Sequence, residues 1–299
     1  MPAPLLVADV PWLLYRSFFA LPASIADGEG RPVNALLGTV NALLALVESE
    51  RPRCVVACMG AEQAEYRVQL YPPYHAHREQ MPPELARQWA LAPQMLGSLG
   101  WVWAASESLE ADDLMFSYAR EEEAAKGRAL LFTGDRDLYG AVSERVHLAS
   151  LGKGAAVTQM GPPEVLERYG VPPALVPDFI ALRGDPSDGL PGARGVGAKT
   201  AAALLAHYGS LEALLEAAED ISAVRALRES PLRPRTSAAL RESAEQLRAF
   251  KEIATLQRID VQLPADRATD YASGAVRARE LGMRRLGERL EQLAKAPLR

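Results

Sequence analysis

Pro4-Leu5-Leu6-Val7-Ala8-Asp9 is an apolar run that stops on a carboxylate. A run of this kind fits a strand buried on both faces, and residues 12–21 follow with large apolar side chains at helical spacing. The unit recurs. Residues 53–59, 101–105, 128–133 and 145–148 read as further strands, with helical patterns over 33–48, 83–99, 110–126 and 137–142 between them. Such alternation predicts an α/β chain with a mostly parallel central sheet flanked by helices. From about residue 161 the pattern becomes almost wholly helical with short Pro/Gly breaks. A soft boundary near 160 therefore divides an α/β core, 1–160, from a helical region, 161–299, whose tail from residue 260 packs back on the core. Residues 62–87 are less regular, carrying Tyr66, Arg67, Tyr71, Tyr74, His75, His77 and Arg78 among prolines.

A chain of 299 residues that is 48% hydrophobic can bury a sizeable core. No apolar run of about 18 residues is present and no charged-then-apolar leader opens the chain, so neither a membrane span nor a recognisable export signal is expected. Cys54 and Cys58 would point the same way about 13 Å apart on one strand, too far for a disulfide. A reduced, cytoplasmic setting is the plainer reading. The formal charge of −5 excludes a uniformly basic nucleic-acid binder but not a local basic surface.

Eight acids fall in four short clusters: Asp9; Glu110, Asp112 and Asp113; Asp135 and Asp137; Asp185 and Asp188. Those of the core lie at or just beyond predicted strand ends, where open α/β sheets collect their ligands. Carboxylates brought that close repel one another unless a cation sits among them, and Mg²⁺ or Mn²⁺ is the natural partner for an all-oxygen set. Taken singly, Asp112 or Asp137 is more readily a helix cap, and Asp9 a strand end. The coincidence of four clusters favours a shared metal pocket.

A second signal is Leu190-Pro191-Gly192-Ala193-Arg194-Gly195-Val196-Gly197-Ala198-Lys199-Thr200-Ala201. A glycine-rich turn that opens a helix exposes backbone amides to a phosphate chain, and Arg194 and Lys199 add charge. This suits a nucleic-acid backbone and reads no base. The alternative is a plain helix connection. The nucleotide P-loop spacing is absent.

In order along the chain, Leu5 to Asp9 with Tyr15-Arg16-Ser17-Phe18-Phe19-Ala20-Leu21, Glu110-Ala111-Asp112-Asp113, Thr133-Gly134-Asp135-Arg136-Asp137-Leu138-Tyr139, and Gly184-Asp185-Pro186-Ser187-Asp188-Gly189-Leu190-Pro191-Gly192 running into Gly195-Val196-Gly197-Ala198-Lys199-Thr200-Ala201 resemble the bacterial 5′-nucleases, or flap endonucleases, including the 5′-nuclease domain of type I DNA polymerases. The resemblance implies a PIN-like core with an arch over about 62–98, a helix-three-turn-helix over about 182–208, and a free-standing enzyme that trims 5′ flaps or 5′ ends of DNA at single-strand/double-strand junctions. It implies Asp9, Glu110, Asp112 and Asp113 as ligands of a first metal, Asp135 shared or nearby, and Asp137, Asp185 and Asp188 around a second. Asp112, Asp135 and Arg78 become the catalytic candidates. Arg67, Tyr74, His75, Arg78, Arg194, Gly195, Gly197 and Lys199 become the DNA contacts, and a K⁺ ion is implied at the helix-three-turn-helix. Implied too are DNA polymerase or ligase as partners, a monomer, and a cytoplasmic, nucleoid-associated setting.

Two departures stand out. Where the family places an aspartate after the second strand, this chain reads Cys58-Met59-Gly60, which puts Met59 there. A thioether is a poor ligand for Mg²⁺, so a weakened first site is expected. Where the family has Tyr-Lys-x-x-Arg, the chain has Tyr74-His75-Ala76-His77-Arg78, so a mostly neutral imidazole replaces a cation. Arg67 is expected to guide the single strand. Tyr74 is expected either to stack a frayed base or to pack among prolines. A junction-binding protein with a decayed nuclease and an RNA-directed 5′-nuclease are the competing readings.

Overall fold

The computed structural model describes residues 2–152, 156–220 and 230–295. Residues 221–229 and 296–299 of the expected helical region lie outside them. Six strands, β1 (Leu5–Asp9), β2 (Cys54–Met59), β3 (Val102–Ala105), β4 (Ala129–Phe132), β5 (Val146–Leu151) and β6 (Val157–Met160), make one sheet in the order β3-β2-β1-β4-β5-β6. The first five run parallel and β6 pairs antiparallel with β5. Every residue of β1, β2 and β4 is buried, which is why those strands are apolar at both parities. β6 was not foreseen: Val-Thr-Gln-Met is a half-exposed edge with no apolar run to signal it.

The two sheet faces bury separate cores. Leu5, Val7, Cys54, Val56 and Cys58 face α5 (Ala111–Ala124), whose Leu114, Met115, Tyr118 and Ala119 recur at helical spacing. Leu6, Ala8, Val55, Ala57 and Met59 face α1 (Val10–Ala20), α2 (Asn34–Glu50) and α4 (Pro83–Ser98). Within 62–98, where an arch was expected, α4 is a layer helix with Leu85, Ala92, Met95 and Leu96 buried. What lies before it is α3 (Glu65–Leu70) and the turns leading to residue 82.

After α6 (Pro162–Tyr169), the helices α7 (Val176–Arg183), α8 (Ala198–Tyr208), α9 (Leu211–Glu219), α10 (Pro234–Glu242) and α11 (Ala244–Ala254) extend the core on the α5 side. Phe250 of α11 meets Tyr71 edge to face at 5.0 Å, and truncating it would cost about 3–5 kcal/mol. An extended stretch then crosses the sheet: Gln257 N donates to Asp113 at 2.8 Å, Arg267 N to Arg53 O at 2.7 Å and Asp270 N to Leu99 O at 2.8 Å. It delivers α12 (Tyr271–Glu280) and α13 (Arg284–Lys295) to the opposite face, where Ala275, Ala278, Leu286 and Leu290 join the α4 side. Among the described residues no helix is long and apolar enough to cross a membrane.

Candidate metal pocket and nucleic-acid grip

β1 has β2 on one side and β4 on the other, so strand order reverses beside it, and the carboxyl ends of β1 and β4 are where open α/β sheets gather their ligands. Asp9 ends β1 there. Its Oδ1 accepts from Trp12 N at 3.0 Å, the ordinary cap of α1, and its Oδ2 accepts from Thr133 Oγ1 at 2.6 Å. Thr133 Oγ1 in turn accepts from Asp135 N at 3.0 Å, and Asp135 Oδ1 accepts from Asp137 N at 3.2 Å. Asp9 is thus both a cap and one end of a chain of polar groups leading to Asp137.

Electrostatics show which acids share the space. Asp112, buried in the first turn of α5, repels Asp9, Glu110, Asp113, Asp135, Asp137 and Asp188. Burial first, then such repulsion, raises Asp135 to about 7, with Asp188 the largest repelling neighbour. Burial likewise lifts Asp9 to about 7, against the bonds from Thr133 and Trp12. Asp137 is pushed well above the carboxylate range by burial and by Asp135 and Asp188. Asp188 rises to about 6 through burial and the neighbouring Asp185. Asp185 is more self-contained, its Oδ1 taking the amide of Ser187 at 2.9 Å.

The donor chemistry fits a hard divalent cation. All the groups are carboxylates, they resist simultaneous ionisation, and the buried Oδ1 of Asp137 has no hydrogen-bond partner. As they stand, no three His, Cys, Asp or Glu side chains among the described residues form a closed ligand set.

The flanking basic and aromatic groups correct several expectations. Arg67 is not a DNA contact: it is fully buried, with Nη1 3.2 Å from Glu110 Oε1 and Nη2 3.0 Å from Asp113 Oδ1. Burial opposes its charge, yet Asp112, Glu110 and Asp113 more than offset this and raise its pKa. Tyr74 offers no ring to a base, because it is buried and its hydroxyl donates to Glu110 at 3.1 Å. His75 is buried as well, stacked on Tyr74 at 3.8 Å, with Nε2 hydrogen-bonded to Asp188 Oδ1 at 2.9 Å. Burial, then Arg78, lowers its pKa to about 4, so the imidazole is neutral, as expected, but it orients an acid and does not face DNA. Arg78 is the exception, 47% exposed with Nη2 3.6 Å from Asp188 Oδ1.

Met59 is likewise misplaced as a substitute ligand. Register pairs Asp9 with Cys58, and Met59 packs with Leu6, Ala8 and Val55 on the face away from α5. Gly60 is the next position on the α5 side, and a Cβ there would lie 2.2 Å from Ala111 N. The backbone of Glu110 and Ala111 therefore fills the place a side chain after β2 would take.

The glycine segment stands apart in character. Gly184 and Gly192 have φ of +83° and +67°, and a Cβ on Gly192 would lie 2.3 Å from Gly184 N, so two backbones cross where only glycine fits. Gly195, at φ +78°, and Gly197 have open space beside them. Gly197 is the N-cap of α8, and Arg194 and Lys199 flank it exposed.

Three residues were not singled out from sequence. Thr133 opened a quoted motif, and it follows directly on β4, whose Phe132 pairs with Ala8, so strand pairing places it beside Asp9. Arg136, 3.9 Å from Asp185, lay inside a quoted motif. Gln257 had no local signal.

Comparison with known proteins agrees with the ordered motifs. A model described as the 5′-3′ exonuclease N-terminal resolvase-like domain matches residues 4–170, and one described as the 5′-3′ exonuclease C-terminal SAM fold matches 171–275. The chain is 35% identical over 305 residues to a 5′-3′ exonuclease of Mycobacterium tuberculosis, covering 95% of this chain and 94% of that one. It is 40% identical over 223 residues to DNA polymerase I of the same species, covering 74% of this chain but only 24% of the polymerase. Among solved structures, T5 5′-exonuclease with bound divalent metal ions (zinc) superposes with a TM-score of 0.65 at 15% identity, over 98% of this chain and all of that one. That likeness speaks for the fold.

Proposed function

Since the chain belongs to the 5′-3′ exonuclease family, we propose that it is a divalent-metal-dependent 5′-nuclease, trimming flapped or free 5′ ends of DNA at single-strand/double-strand junctions. The observation that carries this reading is the convergence of carboxylates from distant segments on Asp112 at the carboxyl ends of β1 and β4. Asp9, Glu110, Asp112, Asp135, Asp137, Asp185 and Asp188 would hold the ions. Held there, Mg²⁺ or Mn²⁺ would supply positive charge and lower the pKa of a water.

The chain's own residues do the rest. Arg78 at the rim stabilises charge on the phosphoryl group. Thr133 fixes Asp9, Tyr74 fixes Glu110 and His75 fixes Asp188, each by one hydrogen bond. The open amides of Gly195 and Gly197 with Arg194 and Lys199 hold duplex phosphates without reading sequence. A K⁺ ion on that open backbone belongs to the same reading. Displaced 5′ flaps are what a polymerase leaves and trimmed nicks are what a ligase seals, so those two activities would precede and follow it.

The test is cleavage of a 5′-flap duplex in Mn²⁺, in Ca²⁺ and in EDTA, with Asp135→Asn as control. Cutting in Mn²⁺ that EDTA and Asp135→Asn abolish is expected. Turnover that persists in EDTA would overturn the reading, and a tight complex left uncut in Mn²⁺ would assign a binding role instead.

A further inference from the structure

Beneath the acid pocket lies a buried ion cluster that also reaches the helical region. Arg67 Nε donates to Ile253 O at 3.1 Å, in the last turn of α11, where carbonyls lack helical partners. Its Nη2 donates to Asp113 Oδ1 at 3.0 Å and stands 3.5 Å from Asp112 Oδ2, while Nη1 faces Glu110. Asp113 Oδ1 also accepts from Gln257 N at 2.8 Å, just past α11. Ser117 Oγ donates to Asp113 O at 2.7 Å and accepts from Ile259 N at 3.0 Å. One guanidinium therefore touches three acids of the pocket and the end of α11. In turn, α11 packs along α7, which runs into the glycine turn at Gly184.

We infer that Arg67 and Asp113 are positioning residues that fix the distance between the acid pocket and the glycine turn, Asp113 doing so through its Oδ1. Three acceptors in different directions suit the planar, permanently charged fork of arginine, which lysine does not reproduce. Glu110 and Asp112 are thereby held in register with the helices that would seat the duplex. Any effect on cleavage rests on the proposed function; the distance itself does not.

Two measurements on the full chain test this, with Arg67→Lys and Asp113→Asn as variants and the core substitution Leu290→Ala as a control of lowered stability. The first is the distance distribution between nitroxides on Ala124→Cys of α5 and Ala206→Cys of α8, both exposed, Cys54 and Cys58 being buried. The second is the cut position on a 5′ flap. The brace predicts a broadened distance in both variants and cuts spread over neighbouring nucleotides. Leu290→Ala should keep a narrow distance and a sharp cut. A narrow distance in both variants would overturn it. A wild-type chain that never cuts would count against the proposed nuclease alone, leaving the distance measurement to decide the brace.

Discussion

The acid pocket and the glycine turn solve opposite problems with the same polymer. In the pocket, burial forces negative side chains together until several of them hold protons near neutral pH. At the turn, missing side chains leave amides open, and the only charges added are two exposed cations. One region stores electrostatic tension that an incoming cation relieves. The other stores none and offers a surface. Rate should therefore depend on the first and affinity on the second.

The strongest way to break that division is Asp135→Asn. Cleavage should fall by about 10³-fold, roughly 4 kcal/mol in the transition state, while flap binding in Ca²⁺ changes less than threefold. An equal loss in both assays would show that the two regions are not separable. Next in size is Met59→Asp. Because Met59 packs in the apolar core away from α5, burying a carboxylate there should cost about 3 kcal/mol, measured by denaturant unfolding. A stable variant with improved Mg²⁺ use would restore Met59 to the metal site.

The pocket's tension is measurable without substrate. Unfolded, Asp9 and Asp135 ionise near 3.8; folded, they hold protons to about 7. Between those values the folded state binds more protons at these two groups, so the stability they contribute to the metal-free protein is complete below about pH 4 and drains as pH rises through 7. Thermal unfolding in EDTA should come roughly 5 °C lower at pH 8 than at pH 5, and Mn²⁺ should shrink the gap. A midpoint that climbs across this window would contradict the assigned shifts. The smallest effect belongs to the turn. Arg194→Ala or Lys199→Ala should weaken duplex binding by about 1 kcal/mol and lower the log–log salt slope by about 1. The rate from the bound complex should hold, and a fall in that rate would blur the comparison.

What could be read from sequence follows the same contrast. β1, β2 and β4 were legible because burial on both faces leaves only apolar residues, and acids such as Asp9, Glu110 and Asp112 because they end a strand or open a helix. The glycine turn was legible because only glycine tolerates its backbone. Partnership was not. Arg67 meets Asp112 and Asp113 from 45 and 46 residues away and α11 from 186, so an arginine among prolines looked like surface. Tyr74 and His75 were misread for the same reason, since their bonds to Glu110 and Asp188 span 36 and 113 residues. Met59 was placed by motif alone, whereas the pairing of Asp9 with Cys58 decides which face it takes.

The most direct test is a crystal grown in Mn²⁺ with anomalous peaks located among the acids. A peak enclosed by oxygens of Asp112, Asp135 and Asp137 or their neighbours is predicted. An acid pocket without a peak, at a Mn²⁺ concentration that supports cleavage, would contradict the account.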